Sequence, residues 1–409
     1  MWRDWGAAGL AAAAGLCAVP LSIAVSESFL AIALVARLAA LVRRNAPLRM
    51  PRAFWFWLPL AAIEVVAWRC SPRPGAGMGE MRHLLLIAGL FVVLPVLNGM
   101  PQRRRVWQGL FITSTAGSAA LILGFALRAY RYRHALSLGG DPGFYLRNGG
   151  FGHHWMIYAT VEILVFGAIL EFRANYPENR RWTTLALAIN GLAIVLSLTR
   201  SLWLTSLLVL GLHLLWRRSK WTWALPVLPA VAFWVVPGPV RYRMLESFQA
   251  DYYSNTERVQ MLQVGWKIIR QRPLLGVGPG RIEELYTSYL SPGDPVPAFH
   301  GHLHNNAVQL AAECGVPALG AAVICLAVLL IDLTSAHREA PDRDWRFISR
   351  AGQLGLIGFV CLGTADYTYG HSLGLILLSF AAVFPPIPRR PVLVHTCEPG
   401  REMAVGRLR

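Results

Sequence analysis

Three histidines at alternate positions, His300, His302 and His304, are the clearest candidates for chemistry in this chain. They end a polar, basic segment, residues 238–303, just before the sequence becomes apolar again. A neutral imidazole with an ordinary pKa of about 6.5 is a natural general base for a hydroxyl group at neutral pH. Metal binding is the alternative, but Asp294 is the one nearby carboxylate, and the alternate spacing loses its common face once His304 enters a helix. The pattern favours acid–base chemistry.

Arginines at two places are candidates for binding an anion. Arg200 lies in a tight turn between two apolar runs, and Arg258 lies in the first turn of a predicted helix. The planar guanidinium makes bidentate contacts to phosphate, and helix beginnings favour anions. Arg147, in a glycine-containing segment with His153, is a further candidate for the same cavity. The alternatives are an Arg200 that extends to the membrane interface and a merely solvated basic surface.

A glycine-rich run, residues 273–281, resembles a phosphate-binding loop, but no βαβ unit surrounds it. A tight turn between two amphipathic helices is the better interpretation. The first helix carries an apolar stripe that predicts packing, and a second apolar face follows the turn. The stripe consists of Val259, Leu262, Trp266 and Ile269, and the second face consists of Ile282, Leu285, Tyr286 and Tyr289.

The composition indicates an integral membrane protein that holds these residues in place. Of 409 residues, 55% are hydrophobic and 15% are charged, against about 25% charged residues in soluble domains. The net charge of +17 comes mostly from arginines in short loops, which suit anionic lipid headgroups and give no reason to expect nucleic acid. The six cysteines form no CxxC pair, so neither a disulfide framework nor a zinc site is indicated. The apolar N-terminus continues to about residue 40, longer than a cleavable signal peptide.

Apolar runs long enough to cross a bilayer predict an all-α polytopic protein with a single membrane domain, residues 1–409. One side of the predicted membrane carries about twice as many basic residues in its short loops, which places both termini in the cytoplasm. The segment 238–303 is then a large periplasmic loop between spans nine and ten, and residues 387–409 are a cytoplasmic tail. The twelve spans are residues 5–22, 24–42, 53–68, 83–100, 106–127, 154–171, 182–198, 201–216, 222–237, 305–331, 349–365 and 371–386.

The order of these motifs resembles the O-antigen ligase and polymerase superfamily, from about Arg147 to Gly320. An arginine motif stands at an outer turn, an arginine and a Pro-Leu-Leu-Gly-x-Gly-x-Gly run stand in a long outer loop, and a His-Asn motif opens a span. The ligase pattern expects Gly, Thr or Tyr three residues after its glycine, where this chain has Ala318. The matching residues are Arg200, Leu204, Arg258, residues 273–280, His304, Asn305 and Gly315.

The resemblance implies a membrane glycosyltransferase of the GT-C type in the bacterial inner membrane, with its active site facing the periplasm. The donor would be an O-antigen glycan on undecaprenyl pyrophosphate, and the acceptor a sugar hydroxyl of lipid A–core. No metal, nucleotide or other cofactor is implied. His304 would be the general base of a displacement with inversion, and Arg200 and Arg258 would hold the pyrophosphate. The residues that would assist are Arg147, Arg281, His302 and Asn305.

Three other functions stay open. An O-antigen polymerase would use the same donor with a lipid-linked glycan as acceptor, and a protein O-oligosaccharyltransferase would use a Ser or Thr hydroxyl. The basic outer loop suits a phosphorylated lipid A–core acceptor, which favours the ligase. A transporter of lipid-linked glycans is a different class, and it would keep ionisable residues along a path through the membrane. In this chain the candidates gather at one face, which favours an enzyme.

Overall fold

In the computed structural model, helices joined by turns and loops make up the residues that it describes, 6–43, 50–97, 99–151, 153–249 and 252–383. This confirms the predicted all-α fold, whereas the predicted tail 387–409 lies outside the described residues. Within those ranges the α-helices are α1 (Gly6–Ala18), α2 (Ile23–Val42), α3 (Arg52–Arg69), α4 (Pro74–Val93), α5 (Met100–Arg131), α6 (Arg133–Ser137), α7 (Pro142–Tyr145), α8 (Trp155–Asn175), α9 (Arg180–Leu196), α10 (Arg200–Trp216), α11 (Leu228–Val235), α12 (Gly238–Leu245), α13 (Tyr253–Gln271), α14 (Ile282–Leu285), α15 (Asn306–Cys314), α16 (Val316–Arg338), α17 (Arg343–Leu362) and α18 (Ser372–Ala382).

Five helices are long and apolar enough to cross a membrane. They are α2, α4 with the turn that extends it to Val96, α5, α8 and α16. Helices α1, α10 and α18 are apolar but shorter. The chain is therefore a polytopic helical membrane protein, as its composition predicts. The number of twelve spans and their orientation stay predictions.

The predicted ninth span, residues 222–237, is wrong as a continuous helix. Pro226 and Pro229 each lack the N–H that a helix interior needs. The segment accordingly divides into a 3₁₀ turn, Lys220–Ala224, and the eight-residue α11. Eight helical residues extend about 12 Å, well short of a hydrocarbon core of about 30 Å.

The predicted tenth span, residues 305–331, divides at Gly315 into α15 and α16. Gly315 has φ +86°, and a Cβ there would lie 2.1 Å from the carbonyl oxygen of Leu274. The next N–H, that of Val316, donates to the carbonyl of Pro273 over 2.8 Å. The glycine-rich run therefore packs against the break between α15 and α16. It connects α13 to α14, as the sequence predicts.

The centre of the bundle is the packing of α8 against α17. Most of α8 is buried, and its partner helix α17 approaches through small residues. A Cβ at Gly355 would lie 2.9 Å from Leu164, and one at Gly358 would lie 2.8 Å from Ile163. This close approach fixes the beginning of α8 beside the end of α17, where the polar residues of the candidate site lie.

Helix α13 packs through a different face from the predicted one. Its buried residues are Met261, Val264, Gly265 and Ile268. Of the predicted stripe, Ile269 packs against this cluster, whereas Val259 is 54% exposed and Trp266 is 60% exposed, so the prediction of packing is wrong for most of the stripe. A Cβ at Gly265 would lie 2.3 Å from a methyl of Val308, so this face has the closest access to α15. The second predicted face fares better, because Ile282 and Tyr286 are fully buried.

Candidate active site

A cavity of about 340 Å³ lies where six helices begin or end. Its wall is formed by the beginnings of α8, α10 and α13, by the end of α12, by the turn after α17, and by the residue that precedes the cap of α15. The ionisable side chains that line the cavity are four arginines, two carboxylates and one histidine. They are Arg147, Arg200, Arg243, Arg258, Glu257, Asp366 and His304. Four of the residues predicted from the sequence therefore meet in one cavity.

Asp366 is the centre of the polar contacts in this cavity. One of its oxygens, Oδ1, lies 3.3 Å from Nδ1 of His304 and 3.7 Å from Nη2 of Arg258. The other oxygen accepts a hydrogen bond from the hydroxyl of Ser201 over 3.1 Å. The carboxylate thereby joins the predicted base, a predicted pyrophosphate ligand and the first turn of α10.

Asp366 is buried, yet it stays ionised. Burial by itself raises the pKa of the carboxyl group, but the hydrogen bond with His304 and the charges of Arg258 and His304 outweigh it. The net effect is a pKa below the ordinary value. A carboxylate therefore faces the imidazole throughout the neutral range.

The backbone at His304 is in the left-handed region, with φ +48°. For a residue with a side chain this costs about 1–2 kcal/mol, so its neighbours must hold it. The side chain of Asn305 caps α15 by accepting from Val308 N–H over 3.0 Å, and it donates to the carbonyl of Thr364 over 2.8 Å. On the other side, Leu303 N–H donates to Gln309 over 2.8 Å. These contacts fix the imidazole at the cavity wall.

Arg200 and Arg258 line the cavity from α10 and α13. Arg200 donates to the hydroxyl of Ser254 over 3.4 Å and lies over the ring of Tyr252, 5.7 Å from its centroid. Arg258 donates to the carbonyl of Ala365. Both guanidinium groups thus have fixed positions while keeping further N–H donors for a ligand.

Two more arginines complete a positively charged lining. Arg243 pairs with Glu246 over 2.6 Å, whereas Arg147 lies 4.9 Å from the ring centroid of Trp155. Burial and, to a smaller extent, the charge of Arg243 lower the pKa of Arg147 to about 10. Such mutual repulsion is relieved when an anion binds. Four guanidinium groups against two carboxylates make this cavity suitable for a multiply charged anion such as a pyrophosphate.

The remaining predicted residues lie outside this lining. The ring of His302 lies against those of His304 and Tyr367, with centroids 4.4 and 5.2 Å away, and burial lowers the pKa of His302 to about 3, so it is neutral. Arg281 pairs with Glu284 over 3.4 Å beside the glycine-rich run. Asn305 is the cap of α15. His302 and Asn305 therefore support the position of His304, and Arg281 does not join the group.

The sequence pattern singled out neither Asp366 nor Arg243 as a site residue. Asp366 follows an apolar run in a short turn, and an acid at the end of a span is the signal that could have found it. Arg243 has no distinguishing neighbour in the sequence, because its place depends on how α12 folds back beside α7. Among the residues that the structure describes, no group of three His, Cys, Asp or Glu side chains could hold a metal ion.

These features define a polytopic membrane protein with an arginine-lined anion cavity beside a His–Asp pair. Residues 185–323 match the family model described as O-antigen ligase. The matched segment includes Arg200, Arg258 and His304, so the resemblance seen in the sequence is confirmed. The family implies an activity of the glycosyltransferase-like ligase and polymerase kind. No curated protein matches the chain significantly.

Proposed function

We propose that this protein is an O-antigen ligase, which transfers a glycan from undecaprenyl pyrophosphate to a sugar hydroxyl of lipid A–core. The observation that carries the proposal is the cavity in which His304 and Asp366 lie beside Arg147, Arg200, Arg243 and Arg258. Glycan transfer from a lipid pyrophosphate needs a base for the acceptor and cations for the departing pyrophosphate. Both are side chains of this one cavity.

His304 is the proposed base. Its Nδ1 faces the ionised Asp366, which favours the tautomer with the proton on Nδ1 and leaves Nε2 free to accept a proton. As the acceptor hydroxyl attacks the anomeric carbon, its proton passes to Nε2, and the C–O bond to the pyrophosphate breaks with inversion. Asp366 stabilises the imidazolium that forms, as carboxylates do beside catalytic histidines.

The arginines act on the leaving group. Negative charge on the pyrophosphate grows as the glycosidic bond breaks, and preorganised guanidinium groups stabilise that charge more strongly than they stabilise the bound donor. Arg147 and Arg200 have no carboxylate within 4 Å among the described residues. Their charge is therefore available to the donor. No metal ion enters this proposed mechanism.

An apolar groove of about 290 Å³ is the proposed site of the polyprenyl tail. It runs between α3, α16, α17 and α18, from Asn305 and Thr364 at one end to Ala382 and Val383 at the other. Asn305 and Thr364 are the chain neighbours of His304 and Ala365, which line the arginine cavity. In this proposal the fold is of the GT-C type in the bacterial inner membrane, with both termini cytoplasmic and the cavity open to the periplasm.

The test is transfer in vitro by the purified protein. Undecaprenyl-pyrophosphate glycan is mixed with lipid A–core, with a second lipid-linked glycan, or with an acceptor protein. Glycan on lipid A–core, and none when His304→Ala replaces the wild type, is the result expected of a ligase. Elongated lipid-linked glycan identifies a polymerase, and glycan on protein identifies a protein O-oligosaccharyltransferase. Movement of the donor across a sealed vesicle without any new glycosidic bond identifies a transporter.

A further inference from the structure

A second cavity, of about 470 Å³, lies beside the arginine cavity on the outer face of α13. One wall is α13 and the other is the segment 294–298. Its lining shares a single residue with the arginine cavity, Glu257, so the two spaces meet at that side chain. We propose that this second cavity binds the sugar residues of the donor glycan that follow the one being transferred, and that it takes neutral sugars. The inference rests on the proposed function. It assigns a binding site to the glycan of the donor, whereas the arginines bind only its pyrophosphate.

The charge of the lining separates this cavity from its neighbour. It contains two carboxylates, Glu257 and Asp294, and none of its lining residues is Arg, Lys or His. An anion would therefore be repelled here, whereas the pyrophosphate is attracted to the four arginines next to it. A ligand that continues from one cavity to the other changes from anionic to uncharged at Glu257. A glycan attached to a pyrophosphate has this distribution of charge.

The polar groups of the lining suit hydroxyl groups, which both donate and accept hydrogen bonds. The side chains of Glu257 and Gln263 make no hydrogen bond with another described residue, so one carboxylate and one amide are available to a ligand. Gln260 is fixed, because it donates to the carbonyl of Pro295 over 2.9 Å and accepts from Tyr286 over 3.2 Å. That pair of bonds ties α13 to the facing segment and keeps the cavity open.

The remaining lining suits the C–H faces of sugar rings. Val259 and Val296, one from each wall, are both 54% exposed. Apolar side chains on opposite walls, with a few polar groups between them, are typical of a small-molecule site. Because Val259 does not pack against another part of the protein, it is free to serve such a site.

The experiment compares two variants of the full-length protein that carry the same substitution on the same helix. Gln263→Trp fills the cavity, whereas Gln271→Trp alters an exposed residue at the end of α13 that does not line it. Each is assayed with one acceptor and two donors, undecaprenyl pyrophosphate carrying one neutral sugar or a chain of several. We expect the ratio of kcat/KM, chain over single sugar, to fall about tenfold in Gln263→Trp and to stay at the wild-type value in Gln271→Trp. An equal ratio in the two variants overturns the proposal.

Further experiments identify which glycan occupies the cavity and whether the cavity accepts charged sugars. If the effect of Gln263→Trp on kcat/KM depends instead on the length of the acceptor glycan at constant donor, the cavity binds the acceptor and the assignment to the donor is wrong. With a donor chain that carries carboxylate sugars, Asp294→Asn should raise kcat/KM relative to the neutral chain, and no change contradicts the electrostatic argument. Binding of the free neutral oligosaccharide, measured by titration calorimetry, should weaken in Gln263→Trp alone. This binding measurement does not require glycan transfer, so it tests whether the cavity binds a glycan even if the proposed function is wrong.

Discussion

His304 and Asp366 are 62 residues apart in the sequence, and their side chains approach to 3.3 Å in the cavity wall. The imidazole sits on a strained left-handed backbone, and the carboxylate is buried and ionised. Ser201 and Arg258 hold the carboxylate from two further helices. The pair therefore joins α10, α13, the start of α15 and the turn after α17 in one set of contacts.

His304→Ala should lower kcat for glycan transfer by about 10²-fold or more, because general-base catalysis contributes about 10²–10⁴-fold. The matched control is His300→Ala, since His300 stacks on Tyr286 and does not line the cavity. The measurement is initial rate with saturating donor and acceptor, together with the melting temperature in detergent. A folded His304→Ala protein with wild-type kcat would remove this residue from the mechanism.

Asp366→Asn should lower kcat for transfer by about 10²-fold or more, because the imidazolium that forms on His304 loses the carboxylate that stabilises it. The pKa of Asp366 lies below its ordinary value, so the carboxylate is ionised throughout the neutral range and the loss of rate should be the same across that range. The measurement is kcat across the neutral range, together with the melting temperature in detergent. A folded Asp366→Asn protein with wild-type kcat would remove the carboxylate from the mechanism.

Arg200→Ala and Arg258→Ala should each weaken donor binding and slow transfer. Arg258→Lys should restore only part of the activity, because an ammonium group cannot make the bidentate contact of a guanidinium. The control is Arg270→Ala, an exposed residue of α13 outside the cavity. KM for the donor and kcat are measured at two salt concentrations. Full activity in Arg258→Lys would show that the positive charge at this position is sufficient and that no bidentate contact is needed.

Transfer should continue in the presence of EDTA. The proposed base and leaving-group ligands are all protein side chains, so no step depends on a divalent cation. The measurement is the transfer rate after dialysis against EDTA, with and without added Mg²⁺ or Mn²⁺. A loss of activity that added metal reverses would overturn the metal-free mechanism.

Gly315→Ala should destabilise the protein by more than about 2 kcal/mol, because the residue has φ +86° and a Cβ would overlap the carbonyl of Leu274. Gly320→Ala is the matched control, since a Cβ there meets nothing within 4 Å. Thermal unfolding in detergent measures both. Equal melting temperatures in the two variants would show that the contact with the glycine-rich run contributes little.

The sequence predicted well those features that depend on local chemistry. Apolar runs of bilayer length have few other uses, so the polytopic helical fold followed from composition. Arg200, Arg258 and His304 could be named because they stand at polar interruptions of apolar sequence and in a recognisable order. The sequence pattern did not predict the interruptions of the helices at residues 222–237 and at Gly315, although Pro226 and Pro229 indicate the first of them.

The apolar stripe of α13 shows why packing was harder. Two faces of that helix carry apolar residues at helical spacing, and periodicity cannot rank them. Gly265 determines which face of α13 packs, because its missing Cβ allows the closest approach to Val308 of α15. The stripe with Val259 and Trp266 was left exposed, which a sequence pattern does not reveal.

The sequence by itself determined the polytopic helical class of the protein, and it singled out Arg200, Arg258 and His304, which the structure brings into one cavity, because residue type and order carry that information. The tertiary structure alone decided that Asp366 and Arg243 join them, and that Arg281 does not. The physical reason is distance along the chain: contacts between residues 62 or more positions apart depend on how α8 and α17 pack, and a linear pattern contains no such distances.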